Sequence, residues 1–184
     1  MKHIVRKAYF DYEKEEAWLN EMSAKGFVLT DYSWCRYVFE EGNRNEYIYR
    51  LELLENLPTH PESIAYLRFL EENGVEVVSS YLRWVYLRKK SKDGSFDLYS
   101  DSTSKIKHYQ RIWTLWTVFM CLEFAAAAGN FIAYANSAGV SGNGPSANLV
   151  LALILAGLGF LFLKLGLPLR KKIKKLKRES IIIE

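Results

Sequence analysis

"AWLNEMSAKGFVL", residues 17–29, returns 48 positions further on as "AYLRFLEENGVEV", residues 65–77. The return keeps chemical class more than identity. Ala17 falls on Ala65, Trp18 on Tyr66, Leu19 on Leu67, Met22 on Leu70, Gly26 on Gly74, Phe27 on Val75 and Leu29 on Val77. At the same offset Tyr37 falls on Val85 and Phe39 on Leu87. A repeat of this size marks one supersecondary unit used twice, neither copy of which buries its apolar face alone.

Punctuation defines the unit. "HIVRKAYF" reads as a strand. "DYEKEEAWLNEMSAKG" reads as a helix capped by Asp11, with Glu13, Glu15 and Glu16 at the positive end of its dipole and Gly26 as its stop. The strands "FVLTDYS" and "WCRYVFEE" follow. The second copy repeats the order: strand "NEYIYRLELLE", helix "THPESIAYLRFLEENG", then strands "VEVVSS" and "YLRWVYLRKK". In that helix Thr59 and Glu62 have capping-box spacing and Gly74 is the terminator. The expected fold is α+β: a duplicated strand-helix-strand-strand domain over residues 1–100, an antiparallel sheet with two helices.

Strand alternation sorts side chains onto two faces. Tyr37, Phe39, Tyr47, Tyr49, Leu51, Leu53, Val85 and Leu87 share one parity and are expected beneath the helices. The other parity carries Ile48 together with Tyr32, Trp34, Arg36, Arg50, Glu52, Glu76, Trp84 and Tyr86. Those last eight form the candidate ligand or partner face, too aromatic for an ordinary wet surface and too charged for simple core. Plain packing and a resting place for the membrane module are the alternatives.

Composition changes after residue 110. The chain has 184 residues and a net charge of +4, yet between residues 112 and 169 the only charges are Glu123 and Lys164. Segments 112–135 and 149–169 each meet the roughly 20 residues a helix needs to cross about 30 Å of hydrocarbon. They are joined by "NSAGVSGNGPSAN", residues 136–148. This pattern predicts a two-helix transmembrane hairpin after a helical juxtamembrane linker, residues 101–111. Lys105, Lys107 and Arg111 precede the first span, "RKKIKKLKR" follows the second, and the loop carries no Lys or Arg. The expectation is a multi-pass protein of the bacterial cell membrane with both termini cytoplasmic. "MKHIVRKAYF" is too short and too charged for a signal core.

In the tail, residues 170–184, Arg170, Lys171, Lys172, Lys174, Lys175, Lys177 and Arg178 are expected to meet the anionic headgroups of the lipid bilayer. No aromatic residues interleave with them, so direct nucleic acid binding is not expected. Glu123 and Asn130 are intramembrane polar groups. A charge at mid-span costs about 2.5–3.5 kcal/mol, so Glu123 is expected to be protonated or turned inward. Ala126, Ala127 and Gly129 on one helix, with Ala156, Gly157 and Gly159 on the other, would permit close approach there.

Catalytic chemistry finds no support. Cys35 and Cys121 are not expected to pair, and His3, His60 and His108 lack ligand spacing, so neither a disulfide nor a metal site is expected. No phosphate loop or nucleophile elbow is present, and no cofactor or catalytic residue is expected.

The motifs "EEAWLNEMSAKGFVL", "YVFEEG", "YIYRLELL", "YLRFLEENGVEVV", "WVYLRK" and "LYSDSTSKIKHYQRI" carry a resemblance. In this order, over about residues 1–111, the chain resembles the bacterial family known as domain of unknown function 2812. The resemblance implies a cytoplasmic domain followed by membrane spans, a genetic setting beside PadR-type regulators and hence such a regulator as a partner. It implies no catalytic residues. The doubled topology is also similar to gyrase-inhibitor-like effector-binding domains. That likeness implies an aromatic groove for an apolar, often cationic small molecule, with an acid such as Glu52 or Glu76. The expected function is a membrane-anchored cytoplasmic sensing or adaptor module. An accessory subunit of a membrane transport complex, with Glu123 against another helix, is the alternative, and an enzyme stands third.

Overall fold

The computed structural model describes residues 1–99, 101–138 and 147–183, so most of the loop expected at 136–148 lies outside the described residues. The chain divides into two units, Met1–Ser100 and Asp101–Glu184.

The first unit runs β1 (Lys2–Arg6), α1 (Tyr12–Ala24), β2 (Phe27–Ser33), β3 (Arg36–Glu41), β4 (Tyr47–Leu53), α2 (Pro61–Glu72), β5 (Val75–Tyr81) and β6 (Trp84–Lys90). The duplication extends to backbone detail. Gly26 and Gly74 follow the two helices at φ +88° and +78°, a region open to glycine. Register slips between Leu29 and Asp31 in β2 and between Val77 and Ser79 in β5, at the same offset. Asp11 caps α1 as expected, its carboxylate accepting from the Glu13 N–H at 3.1 Å. The cap of α2 is a correction: His60, not Thr59, accepts from the Glu62 N–H, through Nδ1 at 3.3 Å. Pro61 opens that helix and holds the residue before it extended, which makes His60 the capping position.

All strand pairs are antiparallel, in two three-stranded sheets ordered β1-β3-β2 and β4-β6-β5. Strand β2 lies beside β5. Ser79 Oγ donates to the Tyr32 carbonyl at 3.0 Å and Arg88 donates to the Leu29 carbonyl at 3.1 Å across that seam.

Register corrects the assignment of faces. In the second sheet Leu51 stands opposite Tyr86 and Glu52 opposite Val85. Odd residues of β4 therefore share a face with even residues of β6. The cause is one additional residue between first strand and helix in the second copy: Val5 faces Tyr37, but its counterpart across from Val85 is Glu52, displaced by 47. Helix α2 covers the Val85 and Leu87 face, where Leu70, Val75 and Phe96 join the cluster. The opposite face, with Tyr49, Leu51 and Tyr86, packs with Leu19 of α1 and with Leu29, Tyr37 and Phe39 of the first sheet. The second sheet is thus covered on both faces.

Helix α1 also closes an edge. Asn20 donates to the Tyr49 carbonyl at 3.1 Å and accepts from the Tyr49 N–H at 2.9 Å. Ser23 donates to the Tyr47 carbonyl at 2.7 Å, and the Leu51 N–H donates to Glu16 at 3.0 Å. Helix side chains here do what a further strand would do for the backbone of β4.

The second unit is a pair of 37-residue helices, α3 (Ser102–Ala138) and α4 (Ala147–Ile183). At about 1.5 Å per residue each reaches about 55 Å, so linker and first span form one rod, and second span and basic tail another. Both are long and apolar enough to cross a membrane, with 6% and 17% of their most apolar windows buried inside the molecule. Such exposure does not fit core helices of a soluble fold. Their contact follows a seven-residue period: Ala152, Gly159, Gly166 and Ile173 on α4 are buried, and Tyr109, Trp116, Glu123 and Asn130 on α3 are buried or half-buried. A Cβ at Gly159 would come within 2.9 Å of the Phe124 ring, so glycine permits the close approach there.

Candidate functional site

Glu15 sits on the buried stripe of α1, four residues before Leu19 and seven before Met22, and is 7% exposed. That stripe turns the carboxyl toward β3 and β6. The Tyr37 and Tyr86 hydroxyls each donate to Glu15 Oε1 at 2.6 Å. Burial lifts the Glu15 carboxyl above its ordinary value of 4.5, and the two tyrosine hydrogen bonds pull part of the way back. Burial, and then the Glu15 carboxyl, raise both tyrosine hydroxyls well above their usual range, so they remain donors.

Aromatic rings lead outward from this carboxyl. Tyr32 lies 4.8 Å from Tyr37 and 4.2 Å from Tyr86, ring centre to ring centre. Tyr81 lies 6.1 Å from Tyr32, and Trp34 lies 5.9 Å from Tyr81. Trp34 is 74% exposed. Tilted and edge-on rings thus run from exposed Trp34 to the two tyrosines that hold the buried acid, and their faces attract cations.

The eight residues expected on one face do not share one. Tyr32 joins Tyr37 because the bulge in β2 reverses its parity, and Tyr86 is core beside it. Trp84 packs on Tyr12 at 5.7 Å along the same wall. Trp34 lies at the β2–β3 turn, and Arg36 on the outer face of the first sheet, 3.7 Å from Asp31. Arg50 and Glu52 lie on the α2 side. Glu52 accepts from the Tyr66 hydroxyl at 2.8 Å and the Tyr99 hydroxyl at 3.1 Å, while Arg50 reaches Glu16 at 3.3 Å. Glu76 is held by Arg88 at 2.7 Å. Both acids expected to serve a ligand are engaged within the fold. Glu15, in the sequence only a partner of the helix dipole, has the aromatic surroundings expected of them. Its signal was legible as a carboxylate in phase with Leu19 and Met22.

In the second unit Glu123 turns onto the seam facing α4, and its Oε2 is buried with no hydrogen-bond partner among the described residues. Asn130 donates to the Ala126 carbonyl of its own helix at 2.9 Å. Of the basic tail, Lys172 lies 5.7 Å over the Tyr109 ring, and Arg170, Lys171, Lys174, Lys175, Lys177 and Arg178 are exposed. Among the described residues no group of three or more His, Cys, Asp or Glu side chains is placed to share a metal ion.

Fold and site define a duplicated α+β domain with a buried carboxyl at the end of an aromatic path, followed by two helices of membrane-crossing length. A family model described as "Protein of unknown function (DUF2812)" matches residues 11–121, and the chain belongs to that family. No curated protein and no solved structure matches the chain.

Proposed function

We propose that this protein is a membrane-anchored sensing or adaptor module, whose cytoplasmic domain takes an apolar, cationic small molecule along the aromatic path ending at Glu15. The observation that carries this reading is the pair of 2.6 Å tyrosine hydrogen bonds to a buried carboxyl beneath Tyr32. Burial favours the neutral form of that carboxyl, and an arriving cation would favour its ionised form. Helices α3 and α4 act as a transmembrane hairpin with both ends in the cytoplasm, and the basic tail of α4 meets anionic headgroups. The family resemblance supports a regulatory setting in which a PadR-type regulator or a membrane protein receives the signal. The test is titration of the full chain with tetraphenylphosphonium, following tryptophan emission. The reading expects saturable binding, weakened about tenfold or more by Glu15→Gln, the scale of one lost charge-assisted contact. Equal affinity in parent and variant removes the proposed site.

A further inference from the structure

Two exposed tips stand at equivalent places in the duplicated unit. Trp34, in the β2–β3 turn, has φ +32° and is 74% exposed; Leu82, in the β5–β6 turn, has φ +54° and is 68% exposed. Both positions favour glycine or asparagine, which enter this backbone region without crowding a Cβ. Instead each carries a large apolar side chain that packs little against its own domain. Tyr81 lies 5.9 Å from Trp34 and joins the tips into one apolar patch. Basic residues flank it. Arg36 follows Trp34 by two residues and pairs in register with Arg6, while Arg83 donates to the Leu54 carbonyl at 2.8 Å and the Lys7 ammonium lies 4.7 Å over the Tyr9 ring. Asp31, 3.7 Å from Arg36, supplies a partly compensating acid.

We propose that the paired tips dock on an anionic bilayer surface, with Trp34 and Leu82 entering the headgroup region and the flanking cations against lipid phosphates. The inference rests on the reading of α3 and α4 as a membrane hairpin, because a tethered domain meets that surface at high effective concentration. Tryptophan and leucine bordered by arginine and lysine have the composition of an interfacial contact. The same cations oppose self-association of these tips, since a second copy would bring like charges together.

The test uses the full chain in nanodiscs of phosphatidylcholine with or without phosphatidylglycerol. Leu82→Cys, in a Cys35→Ser, Cys121→Ser background, carries a nitroxide, and Lys92→Cys, beyond the far end of β6, is the control. A second site, Ser33→Cys, guards against local damage at Leu82, and circular dichroism checks each fold. Docking predicts that labels at 82 and 33 collide with oxygen more than with a water-soluble nickel chelate, but only in anionic nanodiscs. The label at 92 should favour the chelate throughout, and Arg6→Gln with Arg36→Gln should erase the shift at both tip sites. Chelate contact at the tips equal to that at 92 overturns the proposal. Protection from both collision partners overturns it in favour of a protein contact. A chain that fails to enter nanodiscs at all overturns the hairpin reading, and the docking proposal with it.

Discussion

Strands β3 and β6 are the same strand used twice, and their differences show how one unit became a surface and the other an interior. The positions facing each unit's own helix are apolar in both: Tyr37 and Phe39 in β3, Val85 and Leu87 in β6, all at most 1% exposed. The alternate positions diverge. Arg36, Val38 and Glu40 of the first copy become Trp84, Tyr86 and Arg88 of the second. The first set serves the outer face of its sheet, with Arg36 and Glu40 in ion pairs to Asp31 and Lys2. The second set lies under α1, where Tyr86 reaches Glu15. Duplication supplied two sheets; changing every second residue of one strand let the second sheet share the first helix.

The largest expected effect comes from removing that sharing. Tyr86→Ala should cost about 3–5 kcal/mol, as large-to-small changes of buried aromatics do. Its counterpart Val38→Ala should cost about 1–2 kcal/mol, within the usual range for point substitutions. Denaturant unfolding of the two variants checks the difference, and equal losses would break the contrast between the copies. Next is the edge of β4. Asn20→Ala leaves the Tyr49 N–H without its acceptor, while the Tyr49 carbonyl keeps the Arg50 guanidinium at 3.0 Å, and should cost about 1–3 kcal/mol. Amide exchange at Tyr49 should speed up with it. Unchanged protection would mean that α1 does not hold that edge.

A smaller effect follows from proton linkage at Glu15. The folded carboxyl titrates above 4.5, so the folded state binds the proton more tightly than the unfolded chain. Its contribution is most favourable below the unfolded value and is lost as pH rises through the folded one. Glu15→Gln should flatten the pH dependence of stability in that window. A variant whose melting curve follows pH as steeply as the parent would place the linkage elsewhere.

Glu123 offers the least effect and a change of sign. An inward-turned acid with hydrogen-bond partners between the two helices would make Glu123→Leu weaken hairpin packing or assembly. The buried oxygen without a hydrogen-bond partner predicts the reverse within one chain, because exchanging it for an apolar group removes an unmet polar atom. Leu should therefore match or exceed the parent in detergent stability. A marked loss would reveal a donor supplied by another helix, the situation expected of a subunit in a membrane complex.

Element order was legible in the sequence because the boundaries carry local signals: Asp11, Gly26 and Gly74 act within one turn of their own helix, while at α2 the expected cap, Thr59, falls one residue before His60. Burial of Tyr37, Phe39, Tyr49, Leu51, Val85 and Leu87 was legible too, since each is apolar in an alternating strand. Which side each strand presents was not. One added residue before α2 and two bulges reverse parity, and neither leaves a mark in composition. Glu15 was overlooked for a related reason: a carboxylate in a first helical turn has an adequate local role, and only the tertiary fold brings Tyr37 and Tyr86 to it.

In the proposed site a bound cation favours the ionised form of Glu15, whose carboxyl is lifted by burial above its ordinary range. Calorimetric titration with tetraphenylphosphonium, in two buffers of different ionisation enthalpy at a pH below the carboxyl's folded value, measures that step. The account predicts release of up to about one proton per bound cation, an affinity that rises with pH, and loss of both in Glu15→Gln. Binding that releases no proton, or releases as many in the variant, would contradict it.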